Sequence, residues 1–421
     1  MVLSVPNIVL LAKQHEIDAL ERLASNARLV GVIGHMIHTL QSERGATSIF
    51  LASAGNRFAS ERLALVEESE AVERELRTVF AAQLEQTAGA GARLLYLMAW
   101  VLLGLDALPE LRQRAAARQL PADASVAAYS RLIAGLISLI FEVADTAIDP
   151  EISVLLVALF NLVQGKELAG QERAVGALSF ASGICDGAHQ QRILHLIDAQ
   201  ERNFQVFCEF AGDTVVAQWH EQQHAPYVAQ LERLRRILCS TRPGAALDAN
   251  LSNAWFECCS ERLAGAWTLQ RALVDRLQAR CATLIAGAQR ELEDSEGMLK
   301  ELRANPPARA GLVERFFDSQ VPVEQALSFM PSDNGVDHHG QSLIDVLQAQ
   351  SRRLASMEDE LATARRALNE RKTIERAKGI LMARFNLTED AAYKKLRTAS
   401  MQQNRRLVEV AEAALALVAF T

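Results

Sequence analysis

Two stretches of the chain repeat one arrangement. QSERGATSIFLAS runs from Gln41 to Ser53 and QERAVGALSFAS from Gln171 to Ser182. Glu43-Arg44 aligns with Glu172-Arg173, and Ala52-Ser53 with Ala181-Ser182, at a constant spacing of 129 residues. Ala-rich helices resemble one another by chance, but here polar residues match as well as small ones, which favours duplication. A repeat of this length predicts two related helical bundles packed together. The rest of the chain agrees. Ala and Leu dominate, only ten prolines occur in 421 residues, and alternating β-branched runs are almost absent, so the fold class is all-α.

Placed on a helix, Leu29, Ile33, Met36, Ile37, Leu40, Arg44, Ser48 and Leu51 share one face at three- and four-residue steps. Arg44 therefore sits where an apolar residue belongs. In the second copy Leu162, Lys166, Ala169, Arg173, Gly176 and Phe180 follow the same logic, so Arg173 is also aimed inward. Glu43 and Glu172 are neighbours in sequence, about 100° around the helix, and are expected to face elsewhere. A buried cation needs a partner. A carboxylate on another helix is the ordinary solution, and a small anion is the other. Arginine suits planar oxyanions because its N–H fork binds two oxygens at once. The small residues after each arginine, Gly45-Ala46-Thr47-Ser48 and Ala174-Val175-Gly176-Ala177, leave room for a compact ligand. In VAQLERLRRIL, Leu231, Leu234 and Leu238 set the apolar face; Arg235 lies within it, whereas Arg233 and Arg236 point away. Because an ideal projection errs by a residue, Arg236 remains the alternative to Arg235.

Other classes find little support. The six cysteines form no CxxC pair, no Cys/His spacing suits zinc, and buried reduced thiols are expected. No nucleophile–base set, phosphate-binding loop or dinucleotide loop is present, so an enzyme is not expected, nor any cofactor. The start, MVLSVPNIVLLAKQHEIDALE, has neither a basic n-region nor a small-residue cleavage site. Leu94–Leu105 and Ile152–Gly165, at twelve and fourteen residues, are representative of the longest uncharged runs. They fall short of the roughly twenty residues of a membrane span, so a cytoplasmic chain without membrane contact is expected.

Helical stretches occupy about 17–293, broken by turns near Pro109, Pro121, Pro150, Pro226 and Pro243-Gly244. Residues 294–342, with PPARAG, VPVEQ and MPSDNGVDHHG, read as a linker, and His338-His339 as part of a solvated loop. In 343–372, Leu347, Leu354, Leu361 and Leu368 recur every seven residues, with Leu343, Met357 and Ala364 at the complementary position. This favours a coiled-coil helix that pairs two copies of the chain over an amphipathic helix folded back on its own chain.

From Arg371 to Arg406 the chain has ten basic residues and three acidic ones, a net +7; the whole chain carries −7, so the remainder carries −14. A charge run is usually a solvated face, but an excess confined to one small helical module of an acidic chain points to phosphate. Residues 373–421 read as three short helices. The first packs through Ile374, Ala377, Leu381 and Phe385, and the last through Leu407, Ala411, Ala414 and Val418. Asn386 suits a helix C-cap, and Thr388 and Asn404 suit N-caps. Tyr393 is placed either to stack on a base or to pack in the core. The stretch ERAKGILMARFNLTEDAAYKKLRTASMQQNRRLVEVAEAAL resembles the ANTAR domain, a three-helix RNA-binding module of bacterial antiterminators. The resemblance implies binding to paired hairpins in a leader transcript. It places small packing residues at Ala377, Gly379, Ala392 and Ala399, and a basic surface at Arg376, Lys378, Lys395, Arg397 and Arg406. Lys372, Arg384 and Arg405 extend that surface by charge.

The N-terminal region resembles the NIT domain, a nitrate- and nitrite-sensing module of two four-helix bundles. SERGATS, the KELAGQERA run and NAWFECCSERLAGAWTLQRALVDRL carry the likeness, over roughly Arg28 to Arg290. The resemblance implies an anion held between the bundles by inward arginines, with Arg44 and Arg173 at motif positions and Arg235 carried over as the third. The combination is similar to nitrate- or nitrite-responsive transcription antiterminators of NIT–ANTAR architecture. Two rivals stand beside this expectation: a sensor of another small oxyanion, and a constitutive RNA-binding or scaffold protein whose inward arginines are structural ion pairs. A buried carboxylate facing Arg44 would favour the second.

Overall fold

The computed structural model describes residues 5–85, 91–144 and 149–304. In the C-terminal part it describes 370, 373–374, 376–382, 384–385, 387, 389–403 and 405–419. The described residues are predominantly helical, joined by short turns. Its elements are α1 (Val5–Ala52), α2 (Ala59–Glu85), α3 (Ala92–Ala116), α4 (Ala122–Ala144), α5 (Pro150–Ala181), α6 (Gly187–Phe210), α7 (Asp213–Gln223), α8 (Pro226–Ser240) and α9 (Leu251–Ala304). The C-terminal part follows with a helical segment at 376–382, α10 (Glu389–Gln403) and α11 (Leu407–Ala419). Among the described residues the one β-type pairing is an isolated antiparallel bridge between Ile184 and Ala246. The linker from 305 to 342, and the heptad segment 343–372 apart from Glu370, lie outside the described residues. So do Lys372, Asn386, Thr388 and Asn404.

The two repeat copies are the last turns of α1 and α5, and these two helices form the centre of the molecule. α1 packs along α2, α4 and α9, while α5 packs along α6 and α9; α3 lies on α4 and α8 on α9. α5 starts where the sequence places a start. Pro150 occupies its first turn, and the Asp149 side chain accepts from the Ile152 backbone N–H at 2.9 Å. Every residue from Leu155 to Val163 is buried, so α5 has no solvent face along that stretch. One apolar core runs through both halves, with Ile33, Met36, Leu76, Ile133, Leu159 and Leu269 among its members. A second core gathers Phe180, Leu234, Leu238 and Trp255.

Several expectations are corrected. Pro109 does not break the chain but lies inside α3. Val101, Leu105 and Leu108 on that helix are buried, and this apolar face outweighs the lost hydrogen bond and clash of roughly 3 kcal/mol that an interior proline costs. Residues 294–304, read as linker, continue α9, and α1 begins at Val5, ahead of residue 17. The buried Lys13 ties that early part of α1 to Glu291 of α9. The uncharged runs also understate how long the apolar helices are. α3, residues 122–143 of α4, and α5 are each long and apolar enough to cross a membrane by length and composition, because their apolar surface continues past isolated charges. The apolar window of α5 is 89% buried inside the protein, against 28% for α3.

Candidate anion site between α1 and α5

The two arginines of the repeat approach one another across the α1–α5 seam. Arg44 is 1% exposed. Its fork donates to both carboxylate oxygens of Glu167 on α5, with Nη2 to Oε2 at 3.1 Å, and Nη1 also donates to Ser130 Oγ at 2.7 Å. Arg173 faces the other way. Its Nη2 donates to the Gln41 backbone carbonyl at 3.0 Å and its Nη1 to Ser260 Oγ at 3.0 Å, and its guanidinium lies 4.7 Å from the Phe256 ring centre. No described carboxylate lies within ion-pair distance of Arg173. Burial, and then the charge of Arg44, push its pKa down to about 10. The small residues serve this crossing. A Cβ on Gly45 would lie 2.5 Å from Arg173 Nη2, and one on Gly170 would lie 2.6 Å from Arg44 Nη2, so each glycine gives the opposite arginine its passage.

A third cation shares the seam. Lys166, fully buried, donates to Gln270 Oε1 at 3.1 Å and sits 4.8 Å from the Trp267 ring centre. Burial lowers its pKa to about 7, with Glu167 acting in the opposite direction. His38, stacked on Trp267 at 4.3 Å, is driven down to about 2 by burial and then by the Lys166 charge, so it stays neutral. Glu167 is thus the single carboxylate among the described residues that bonds to this cluster. It also accepts from Gln41 Nε2 at 2.9 Å and Gln171 Nε2 at 3.0 Å. Gln41 Oε1 is buried without a hydrogen-bond partner among the described residues.

The glutamates of the repeat are buried as well, although they turn away from the arginines' direction as expected. A single-face projection fails for helices surrounded on all sides. Each glutamate turns into its own bundle and takes an arginine there. Glu43 accepts from Arg112 of α3 at 2.8 and 2.9 Å and from the Tyr129 hydroxyl at 2.6 Å. Glu172 accepts from Arg235 of α8 at 2.7 Å on both oxygens and from Gln200 at 2.7 Å. Burial alone would lower the Arg235 pKa, but the Glu172 carboxylate more than offsets this and raises it. Arg235 is therefore inward, as the apolar face predicts, yet its fork is on Glu172 rather than beside Arg44 and Arg173. Arg236 and Arg233 lie exposed on the outer face of α8. Sequence reasoning missed Glu167, Gln41, Ser130, Ser260 and Arg112. The polar match at Glu43 and Glu172 was the available signal for the two inner ion pairs.

The C-terminal part has its own small core of Ala377, Leu396, Val410 and Ala411. Of the expected basic surface, Arg376, Arg384, Lys395, Arg397, Arg405 and Arg406 are exposed, whereas Lys378 is buried. Phe385, expected in the core, is 53% exposed and is covered on one face by Lys395 at 4.9 Å. Part of the basic surface rests on the sensor half. Arg202 of α6 lies 4.6 Å from the Tyr393 ring centre, and Arg397 stands 3.7 Å from Asp198. A cavity of about 330 Å³ separates the 376–382 segment from α4 and α5. Ser130, Glu167 and Gln171 line it from one side, and Arg376, Lys378 and Met382 from the other.

A helical receptor with paired inward arginines, carrying a small basic helical module docked on its flank, defines a sensor joined to an effector. Known families give that class its particulars. The NIT family, described as nitrate and nitrite sensing, matches residues 35–278, and the ANTAR domain matches residues 362–414. The Nitrate regulatory protein of Klebsiella oxytoca is 32% identical over 412 residues, 97% of this chain and 94% of its own length. The Transcriptional regulatory protein PdtaR of Mycobacterium tuberculosis is 35% identical over 72 residues, 17% of this chain and 35% of its own length. A solved structure described as that of the NasR transcription antiterminator aligns with a TM-score of 0.61 at 28% identity, covering 98% of this chain and 99% of that one. The chain belongs to the NIT–ANTAR nitrate regulatory family.

Proposed function

We propose that this chain is a one-component, cytoplasmic transcription antiterminator. Nitrate or nitrite enters the α1–α5 seam and is held by Arg44 and Arg173. Arg235 acts one step away, fixing Glu172 and with it the turn of α5 that carries Arg173. Binding releases the ANTAR module, whose basic surface then takes paired hairpins of a leader RNA and prevents termination of nitrate-assimilation transcripts. Two copies pair through the heptad segment. The observation that carries this reading is the docking of Tyr393 and Arg397 on Arg202 and Asp198. It occupies part of the RNA-binding face with the acidic sensor, which the charge asymmetry of the two parts favours.

A ligand shifts this equilibrium only by binding one arrangement better than the other. RNA binding is therefore measured with and without nitrate, for the full chain and for a chain lacking residues 1–340. The full chain binds RNA more tightly with nitrate, and the truncated one binds equally well without it. If the truncated chain retained the same nitrate dependence, the reading would be wrong. The rival reading, a constitutive RNA-binding scaffold with structural ion pairs, draws on the Arg44–Glu167 pair. It expects RNA binding by the full chain that nitrate does not change.

A further inference from the structure

We propose that Glu167 is a built-in competitor for the anion seat: its carboxylate occupies the Arg44 fork, and a planar oxyanion binds there by displacing it. The proposal rests on the reading that an anion binds at Arg44 and Arg173, and adds which group the anion replaces.

Three observations carry it. The first is geometry. Glu167 presents two oxygens in one plane to the Arg44 fork, the arrangement that a guanidinium offers to any planar oxyanion, nitrate and formate included. The seat is therefore already shaped for such an anion and already filled by one. The second is charge. Among the described residues, Arg44, Lys166 and Arg173 meet a single carboxylate in the seam. A buried cluster with an excess of positive charge gains from an added anion, yet Arg44, its best-presented fork, is closed until Glu167 leaves. The third is the exit. Glu167 and Ser130 are the two side chains among the described residues bonded to Arg44, and both line the cavity facing Arg376 and Lys378. A displaced carboxylate thus has open space on that side, with Gln171 beside it to keep a hydrogen bond. Arg173 needs no such exchange, since its partners are neutral oxygens.

Competition and simple electrostatic repulsion make different predictions. Glu167→Gln removes both the charge and the fit. Glu167→Asp keeps the charge but is one methylene too short to close on the fork. Calorimetric titration of sodium nitrate, sodium formate and sodium sulfate into the full chain and both variants separates them, with circular dichroism confirming folding. The expected result is that Glu167→Gln binds nitrate at least tenfold more tightly than the wild type. Glu167→Asp should be intermediate, and formate should compete with nitrate in the Gln variant where sulfate does not. A folded Glu167→Gln chain that binds nitrate no better than the wild type overturns the proposal, and so does an Asp variant that matches the wild type. Failure of the wild type and of both variants to bind nitrate overturns the underlying reading as well. Nitrate binding that appears only in the variants supports competition outright.

Discussion

Arg44 and Arg173 cross the same helix seam in opposite directions. Arg44 leaves α1 to close on Glu167 of α5, while Arg173 leaves α5 to donate to the Gln41 carbonyl of α1 at 3.0 Å. The crossing makes the two repeat copies interdependent, because each arginine is held by the other copy's helix. It also leaves them unequal: among the described residues one has a carboxylate and the other only neutral oxygens.

That inequality predicts stability effects of different size. Arg44→Ala strands the Glu167 carboxylate in a buried site, and breaking a buried pair by removing one partner costs roughly 3–5 kcal/mol. The double variant Arg44→Ala/Glu167→Ala recovers most of that loss. Arg173→Ala removes a buried cation that has no carboxylate partner among the described residues, and is expected to cost less than Arg44→Ala. Chemical denaturation of the four chains gives the comparison. An Arg173→Ala chain less stable than Arg44→Ala would sink this account.

Gly45 and Gly170 allow a test that changes no charge. A methyl at either position meets the opposite arginine's terminal nitrogen at 2.5 or 2.6 Å, which is closer than such atoms approach. The arginine, a flexible side chain, moves rather than the helix. Gly45→Ala and Gly170→Ala are therefore expected to fold, helped by about 1 kcal/mol of helix propensity, and to lose nitrate affinity by tenfold or more. Titration of both variants beside their melting curves checks the pair. Unchanged affinity in both would show that fork placement does not matter.

Much of this was legible in sequence for physical reasons. The inward aim of Arg44 and Arg235 follows from their spacing to the leucines and isoleucines of their own helices, and that of Arg173 from its three- and four-residue spacing to Ala169 and Gly176 on the face of Leu162 and Phe180. Which partner each arginine takes does not. Glu167 lies 123 residues from Arg44, and no local pattern marks a contact set by how two central helices cross. The same limit hid the burial of Glu43 and Glu172, since an amphipathic projection assumes a solvent face that α5 lacks along Leu155–Val163. Lys378 was assigned to the basic surface by the ANTAR resemblance, yet it is buried and lines the cavity shared with α4 and α5, a contact that sequence does not contain.

Weakening the docked surface should free the module. The Arg397–Asp198 pair at 3.7 Å is exposed, and such a pair alone contributes little. The Arg202–Tyr393 contact at 4.6 Å adds a cation–π attraction of modest size. Asp198→Lys with Arg202→Ala together replace attraction by repulsion and remove the ring contact. Nitrate-independent RNA binding is expected to rise several-fold in the double variant and little in either single one. Gel-shift titration in the absence of nitrate reads this directly. A double variant as silent as the wild type would mean that this face does not hold the module.

Lys166 gives the seam a pH dependence whose sign is fixed. Its pKa is lowered by burial from 10.5 to about 7 in the folded chain. Between those values the unfolded chain holds the proton and the folded chain does not, so folding stability rises with pH across that window and is lowest below about 7. The groups around Lys166 do not mask this. The neutral His38 lies far below its ordinary value, His35 is also lowered by burial, Arg173 stays charged well above pH 7, and Gln270 does not titrate. An anion in the seam favours the ammonium form. Its binding above about pH 7 therefore takes up a proton, and nitrate affinity falls with rising pH by up to about tenfold per unit, the limit for one proton. Lys166→Met, similar in length and uncharged, is expected to flatten both profiles between pH 7 and 9 and to be more stable than the wild type at pH 6. Titrations across that range in two buffers of different ionisation heat count the protons taken up. A wild-type affinity that does not change from pH 6.5 to 9 would remove Lys166 from the anion's surroundings.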